Sequence, residues 1–179
     1  MLTNENTLLL VIDFQERLMP SIHNNEELAK RAAILVSCIR LLDVPLLVTQ
    51  QYTKGLGETI TELKEALGDF EPAEKITFSC CGNDEFNDTM SRIGKPNIIV
   101  AGIEAHICVQ QTVLDLLGGG YNVYVVSDCI GSRNDNNRLY AEQRMHTAGA
   151  VITTLESVIF ELMVRADHPK RKDVTKLLK

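Results

Sequence analysis

NIIVAGIEAHICVQQTVLDLL, residues Asn97 to Leu117, changes its period part-way along. Ile98-Ile99-Val100-Ala101 is a continuous apolar run, the pattern of a strand buried on both faces. Gly102 ends the run, and the polar interlude Glu104-Ala105-His106 follows. From Ile107 a helical pattern takes over, with Ile107, Val109, Val113, Leu114 and Leu117 close to 3.6 spacing. Cys108 falls in the first turn of that helix. The orphan N–H groups and the dipole of a helix start favour an anion, so the thiolate form of Cys108 is expected to be stabilised there. By itself this arrangement fits a redox cysteine and a hydrolytic one equally.

The same strand-then-helix alternation runs outward in both directions. Thr7–Ile12 reads TLLLVI and stops at Asp13, which is either a site acid or a turn former. Asn25 is a candidate N-cap for a helix to about Leu42, broken by Asp43-Val44-Pro45. Leu46–Thr49 is a second strand, ended by the polar Gln50-Gln51-Tyr52, and Lys54–Gly57 reads as a flexible loop. Thr59-x-x-Glu62 resembles a capping box for a short helix to Leu67. Asp69–Glu74 reads as a loop and Lys75–Ser79 as a short extended segment. A helix over Asp84–Ile93 leads back to the opening stretch. Beyond it come a strand over Asn122–Ser127 with Asp128 at its end, and a polar loop, Cys129–Asn134, holding Ser132 and Arg133. A helix over Asp135–Ala148, a strand over Ala150–Thr154 and a helix over Glu156–Val164 complete the series. Gly118-Gly119-Gly120 falls at a helix end and reads as a C-cap and turn. The pattern predicts one α/β domain over residues 1–179, with about six strands in a mainly parallel sheet and helices on both faces. The basic segment 165–179 reads as a solvated terminal helix or a subunit contact.

Composition narrows the function. A net charge of −6 over 179 residues, no Trp and 5% aromatic residues argue against nucleic acid or an anionic membrane as the main partner. No stretch is long and apolar enough for a membrane span, and the N-terminus lacks the features of a signal peptide. Five cysteines without a CxxC point to reduced thiols and a cytoplasmic setting. Cys80-Cys81 reads as two thiols, one of them buried, rather than a vicinal disulfide or metal pair.

Asp13, Lys75 and Cys108 all stand at predicted strand ends, and a thiol nucleophile needs a base and a cation close by. VIDFQ around Asp13, EKITFS at Lys75, GIEAHICVQQT around Cys108 and the late AGAVITTLES together resemble the isochorismatase-like cysteine hydrolases over nearly the whole chain, Leu8 to about Glu161. Within that superfamily the chain resembles the short, single-domain isochorismatase-domain proteins. The resemblance implies a Rossmann-like three-layer sandwich, Asp13 as general base, Lys75 as the tuning cation and Cys108 as nucleophile. It further implies a non-proline cis peptide at Ile103–Glu104 and an oxyanion hole from the backbone N–H groups of Glu104 and Cys108. The implied reaction is hydrolysis of a small amide or related carbonyl compound through a Cys108 thioester, with Phe14, Tyr52, Phe78 and Ile107 lining the substrate and subunits assembled as a homo-oligomer. Metal-binding members carry an Asp-x-His pattern after the second strand. Thr49-Gln50-Gln51-Tyr52 stands there instead, so neither a metal nor another cofactor is expected. His106 adjoins the cysteine and reads as a turn or interface histidine. Three alternatives stay open: a catalytically weak binding or assembly protein, an isochorismatase-type vinyl-ether hydrolase, and a redox sensor that pairs Cys108 with Cys80, Cys81 or Cys129.

Overall fold

In the computed structural model, which describes residues Met1–Lys179, six strands form one wholly parallel sheet in the order β3-β2-β1-β4-β5-β6. These are β1 (Thr7–Ile12), β2 (Leu46–Gln51), β3 (Ala73–Lys75), β4 (Asn97–Ile103), β5 (Asn122–Gly131) and β6 (Val151–Thr153). Every residue of β1 and β4 is buried, because successive side chains leave opposite faces and both faces are covered. Leu9 and Val11 of β1, with Ile99, Ala101 and Ile103 of β4, join one core. The helices packed there are α1 (Asn25–Leu41), α3 (Thr61–Leu67), α7 (Leu155–Met163) and α8 (Arg171–Leu177). Leu8, Leu10, Ile12, Ile98 and Val100 join the other core, under α4 (Asp84–Ile93), α5 (Gln110–Gly118) and α6 (Asp135–Thr147). This is the expected α/β three-layer sandwich.

The chain leaves β1 toward β2 and β3, then returns to lay β4 on the other side of β1. The switch point between β1 and β4 is where a crevice opens outside the carboxyl ends of the strands. Ile12 pairs with Gly102 there, and a Cβ on Gly102 would sit 2.6 Å from Ile12 Cβ and 2.7 Å from Ile12 O. Only glycine lets the two strands approach this closely at the crevice.

Several local expectations are corrected. Residues Thr53–Leu56 form a short helix, α2, where a flexible loop was expected. The cap of α1 is Asn24 in the left-handed region, and Asn25 is its first helical residue. Thr59 caps nothing: its hydroxyl accepts from Gln50 Nε2 at 2.9 Å, and α3 starts at Thr61 without a side-chain cap. The strand at Lys75 ends there instead of beginning, and β5 runs four residues past Ser127 to Gly131. Asp128 is tolerated inside β5 because its carboxylate accepts from Leu155 N–H at 2.8 Å and from Arg31 at 3.1 Å. The basic tail carries α8, anchored by the fully buried Val174 in the α1-side core.

Candidate active site

β1 ends in a residue with left-handed backbone, Asp13 at φ 55°. Its N–H donates to Thr49 O, and its side chain, fully buried, turns toward the crevice. Aspartate is one of the few side chains that adopt this conformation readily. Lys75 comes from the end of β3, two strands away, and its ammonium donates to Asp13 Oδ2 at 2.6 Å. The remaining ammonium hydrogens go to Gln51 Oε1 at 2.8 Å and to the carbonyls of Phe78 and Thr77 at 3.0 and 3.3 Å. Both partners are essentially without solvent, at 2% and 0% exposure. Burial is the largest influence and lowers the Lys75 pKa, but the facing Asp13 carboxylate, together with the Cys80 and Cys108 sulfurs, outweighs it and the net shift is upward.

Cys108 completes the cluster, its buried thiol close enough to Asp13 and Lys75 to feel both charges. It lies in a π-type turn, Ala105–Val109, ahead of α5, and so not in the first turn of an α-helix. The thiolate is not favoured in the resting protein. Burial first, and then the Asp13 carboxylate, push the thiol pKa up, with Lys75 offsetting only part of the shift. That reverses the expectation drawn from the helix dipole.

Five residues that sequence reasoning left out hold the cluster. Thr49 Oγ1 donates to Asp13 Oδ1 at 2.8 Å, leaving Oδ2 to Lys75. Gln51 orients the lysine, and Gln15 in turn holds Gln51: Gln15 Oε1 accepts from Gln51 N–H at 2.7 Å and Gln15 Nε2 donates to Gln51 O at 3.0 Å. Thr112 Oγ1 accepts from Cys80 N–H at 3.0 Å and donates to Cys108 O at 2.7 Å, tying the segment after Lys75 to the cysteine turn. Cys80 is a second thiol beside Asp13 and Lys75, pushed up to about 12 by burial and by Asp13. The polar pair Gln50-Gln51 at a strand's carboxyl end was the available signal, the same one that marked Asp13.

The proposed lining residues divide. Tyr52 and Phe78 are about half exposed and belong to the Lys75 segment, Tyr52 N–H donating to Lys75 O and Phe78 O accepting from its ammonium. Ile107 is partly buried next to Cys108. Phe14 does not line the site: it is 1% exposed inside the core under α1, on the sheet face opposite Cys108. Its backbone fixes the next loop instead, Phe14 O accepting from Ile60 N–H.

Around the cysteine turn stands a polar ring. The peptide bond Ile103–Glu104 is cis. The Glu104 carboxylate is clasped by Arg133 with a contact of 2.6 Å. His106 Nδ1 and Ser132 Oγ are 2.9 Å apart, and His106 Nε2 lies 3.4 Å from Asn137 Nδ2 on α6. A cleft of about 350 Å3, bordered by His23, Arg31, Asp128, Ser132 and Arg138, opens on the far side of Ser132 and does not include Asp13, Lys75 or Cys108. No group of three or more His, Cys, Asp or Glu side chains is arranged to hold a metal ion. All five cysteines are free, Cys80 buried and Cys81 partly exposed. No helix is long and apolar enough to cross a membrane.

Comparison with known proteins agrees with the architecture. The isochorismatase domain family matches residues 7–157. Isochorismatase domain-containing protein 2 of Danio rerio is 36% identical over 179 residues, covering 99% of this chain and 89% of its own length. Among solved structures, the MAR1 ribonuclease of Caenorhabditis elegans is 41% identical with a TM-score of 0.92, the match covering 99% of this chain and 91% of that one. The YcaC gene product of Escherichia coli, described as an octameric hydrolase of unknown specificity, is 25% identical with a TM-score of 0.88, over 98% and 86% of the two chains. With a domain match over most of its length and relatives aligned end to end, this chain belongs to the isochorismatase family.

Proposed function

We propose that the protein is a single-domain, metal-independent cysteine hydrolase that cleaves a small amide or related carbonyl compound through a Cys108 thioester. One observation carries this reading: the buried Cys108 thiol lies within the field of a fully buried carboxylate, Asp13, that is ion-paired to Lys75 at 2.6 Å. A thiol whose pKa is raised attacks nothing until a base takes its proton, and Asp13 is the carboxylate whose charge acts on it most strongly. As Asp13 accepts the proton, the sulfur bonds to the carbonyl carbon and the carbonyl oxygen takes up negative charge. Backbone N–H groups at Glu104 and Cys108 receive that oxygen. Loss of one such donor costs about 3 kcal/mol of transition-state stabilisation. The C–N bond then breaks and the amine leaves with the proton held by Asp13. Water gives a proton to Asp13, attacks the thioester, and the proton returns to the Cys108 sulfur. Lys75 stays charged throughout and keeps the carboxylate in place.

The relative named as a ribonuclease raises phosphodiester cleavage as a competing activity. The two cations brought to the site, Lys75 and Arg133, are both paired with carboxylates, and the chain carries a net charge of −6. Neither feature favours a polyanionic substrate. Five free thiols support a reducing, cytoplasmic compartment. The octameric relative and the exposed apolar residues Leu139 and Tyr140 support self-association.

Wild type and Cys108→Ala should be incubated with a panel of small primary amides and, in parallel, a single-stranded RNA. Wild type is expected to release ammonia and to carry an acyl mass adduct on Cys108, and the variant to do neither. No ammonia and no adduct across the panel, or RNA cleavage that survives in Cys108→Ala, would overturn the proposal.

A further inference from the structure

Glu104 is a buried charge in a place where stability alone gives it no purpose. It is 4% exposed, between the end of β4 and the turn that carries Cys108. Its carboxylate is held by one residue, Arg133, whose own side chain is 60% exposed. Arg133 Nη2 donates to Oε1 at 2.6 Å, Nε reaches Oε1 and Oε2 at 3.1 Å each, and the Arg133 backbone N–H donates to Oε2 at 2.9 Å. Burial by itself would raise the carboxyl pKa, and these hydrogen bonds overcome it, so Glu104 is held below the usual range and stays ionised. Taking one ion of a pair out of water costs more than leaving both at the surface.

The backbone of Glu104 gives the arrangement its use. Its carbonyl accepts from Ile107 N–H at 3.0 Å and Val109 N–H at 3.3 Å, which binds it to the cysteine turn. Its own N–H donates to no acceptor in the chain. Buried N–H groups are nearly always paired, so one left open beside a nucleophile is positioned for a ligand atom. Glu104 is therefore fixed from two sides, by the turn through its carbonyl and by Arg133 through its carboxylate, with only the N–H uncommitted.

We propose that Arg133 is a positioning residue, which through the Glu104 carboxylate fixes the orientation in which the Glu104 N–H meets the oxyanion of an acyl group on Cys108. This rests on the acyl-transfer reading above, and the test separates the two. p-Nitrophenyl acetate acetylates a thiol through a tetrahedral oxyanion: the S–C bond forms, the bond between the acetyl carbon and the phenolic oxygen breaks, nitrophenolate leaves, and the thiol proton passes to Asp13. Iodoacetamide displaces iodide at a saturated carbon, so no oxyanion develops, although the same proton must be removed. Both rates at Cys108 would be followed by stopped-flow absorbance and by intact mass, in wild type, Arg133→Ala, Arg133→Lys and Glu104→Gln, with melting curves to check folding.

Arg133→Ala is expected to acetylate roughly tenfold or more slowly. Its saturation constant for the ester should be unchanged, and its alkylation rate close to that of wild type. Arg133→Lys should recover part of the acetylation rate, and Glu104→Gln should fall with Arg133→Ala. Acetylation that ignores Arg133, or acetylation and alkylation falling together, would overturn the positioning role. A wild type that forms no acetyl adduct on Cys108 would overturn the acyl-transfer reading itself, and the positioning role with it.

Discussion

Lys75 shows how much of the site rests on one ion pair. Removing one partner of a buried pair leaves the other charge without solvent or counter-ion, at a cost of about 3–5 kcal/mol. Lys75→Met should therefore lose that much in urea unfolding and also lose turnover. Adding Asp13→Leu to it should restore most of the stability and none of the activity, since two apolar side chains can replace a buried pair. If Lys75→Met unfolds like wild type, the pair does not matter as described. Glu104 gives a pH signature. Its folded pKa lies below the ordinary 4.5 of a glutamate, so its contribution is fully present above about 4.5 and is lost as the pH falls through the folded value. The stability gap between wild type and Arg133→Ala should be widest near neutral pH and close as the pH falls through the folded value, as read from urea midpoints. Asp13 and Cys108 were legible in the sequence from their places at strand ends. The sign of the cysteine's shift was not, because it depends on burial and on a carboxylate 95 positions away in the chain, and a helix start alone points the other way.

Elements were legible where the local pattern and the tertiary environment agree. β1 and β4 stand out because a strand covered on both faces has no polar positions. Boundaries failed where a tertiary partner overrode a local rule. Thr59 has the spacing of a capping residue, yet its hydroxyl serves Gln50. Asp128 looks like a strand end, yet Leu155 N–H and Arg31 satisfy it inside β5. Phe14 adjoins Asp13 in sequence, and strict alternation would place it with Ile12 on the Cys108 side, but the left-handed backbone of Asp13 breaks the alternation and Phe14 packs in the α1-side core. Gly102 is the position at which element geometry controls the site. A methyl group there meets the Ile12 backbone at 2.7 Å, so β1 and β4 must part next to Asp13. Gly102→Ala should lose about 1–3 kcal/mol, the usual cost of overpacking, and slow Cys108 acylation. Gly118→Ala is the matched control. Nothing lies within 4 Å of the added methyl group, and the site is the last residue of α5. Alanine there should be neutral or stabilising by up to about 1 kcal/mol. Equal behaviour of the two variants would remove the strand-spacing argument.

At the scale of the whole molecule, the unresolved balance is between two exposed apolar faces. Leu139 and Tyr140 on α6 are 48% and 73% exposed, and Val151 on the edge strand β6 adds 48% beside them. Ile76 and Phe78, at 70% and 55%, form a second pair next to Lys75. The α6–β6 face is the stronger candidate for contact between copies. It flanks a strand of only three residues whose outer edge is unpaired, and covering such an edge removes a hazard for aggregation. It also carries Asn137, which touches His106 at the cysteine turn, so a neighbour on α6 would stiffen the site from outside. The Ile76–Phe78 pair instead borders the Lys75 cluster, where exposed apolar side chains suit a small substrate. Light scattering on the wild-type protein should give a multiple of the 19.9 kDa chain mass. Leu139→Glu with Tyr140→Glu should reduce it to one chain, lower the melting temperature in a concentration-dependent way and slow turnover. Ile76→Glu should leave the assembly whole and weaken substrate binding alone. A wild type that runs as a single chain would remove the assembly from both faces, and an assembly broken by Ile76→Glu and untouched by the α6 changes would assign the faces the other way.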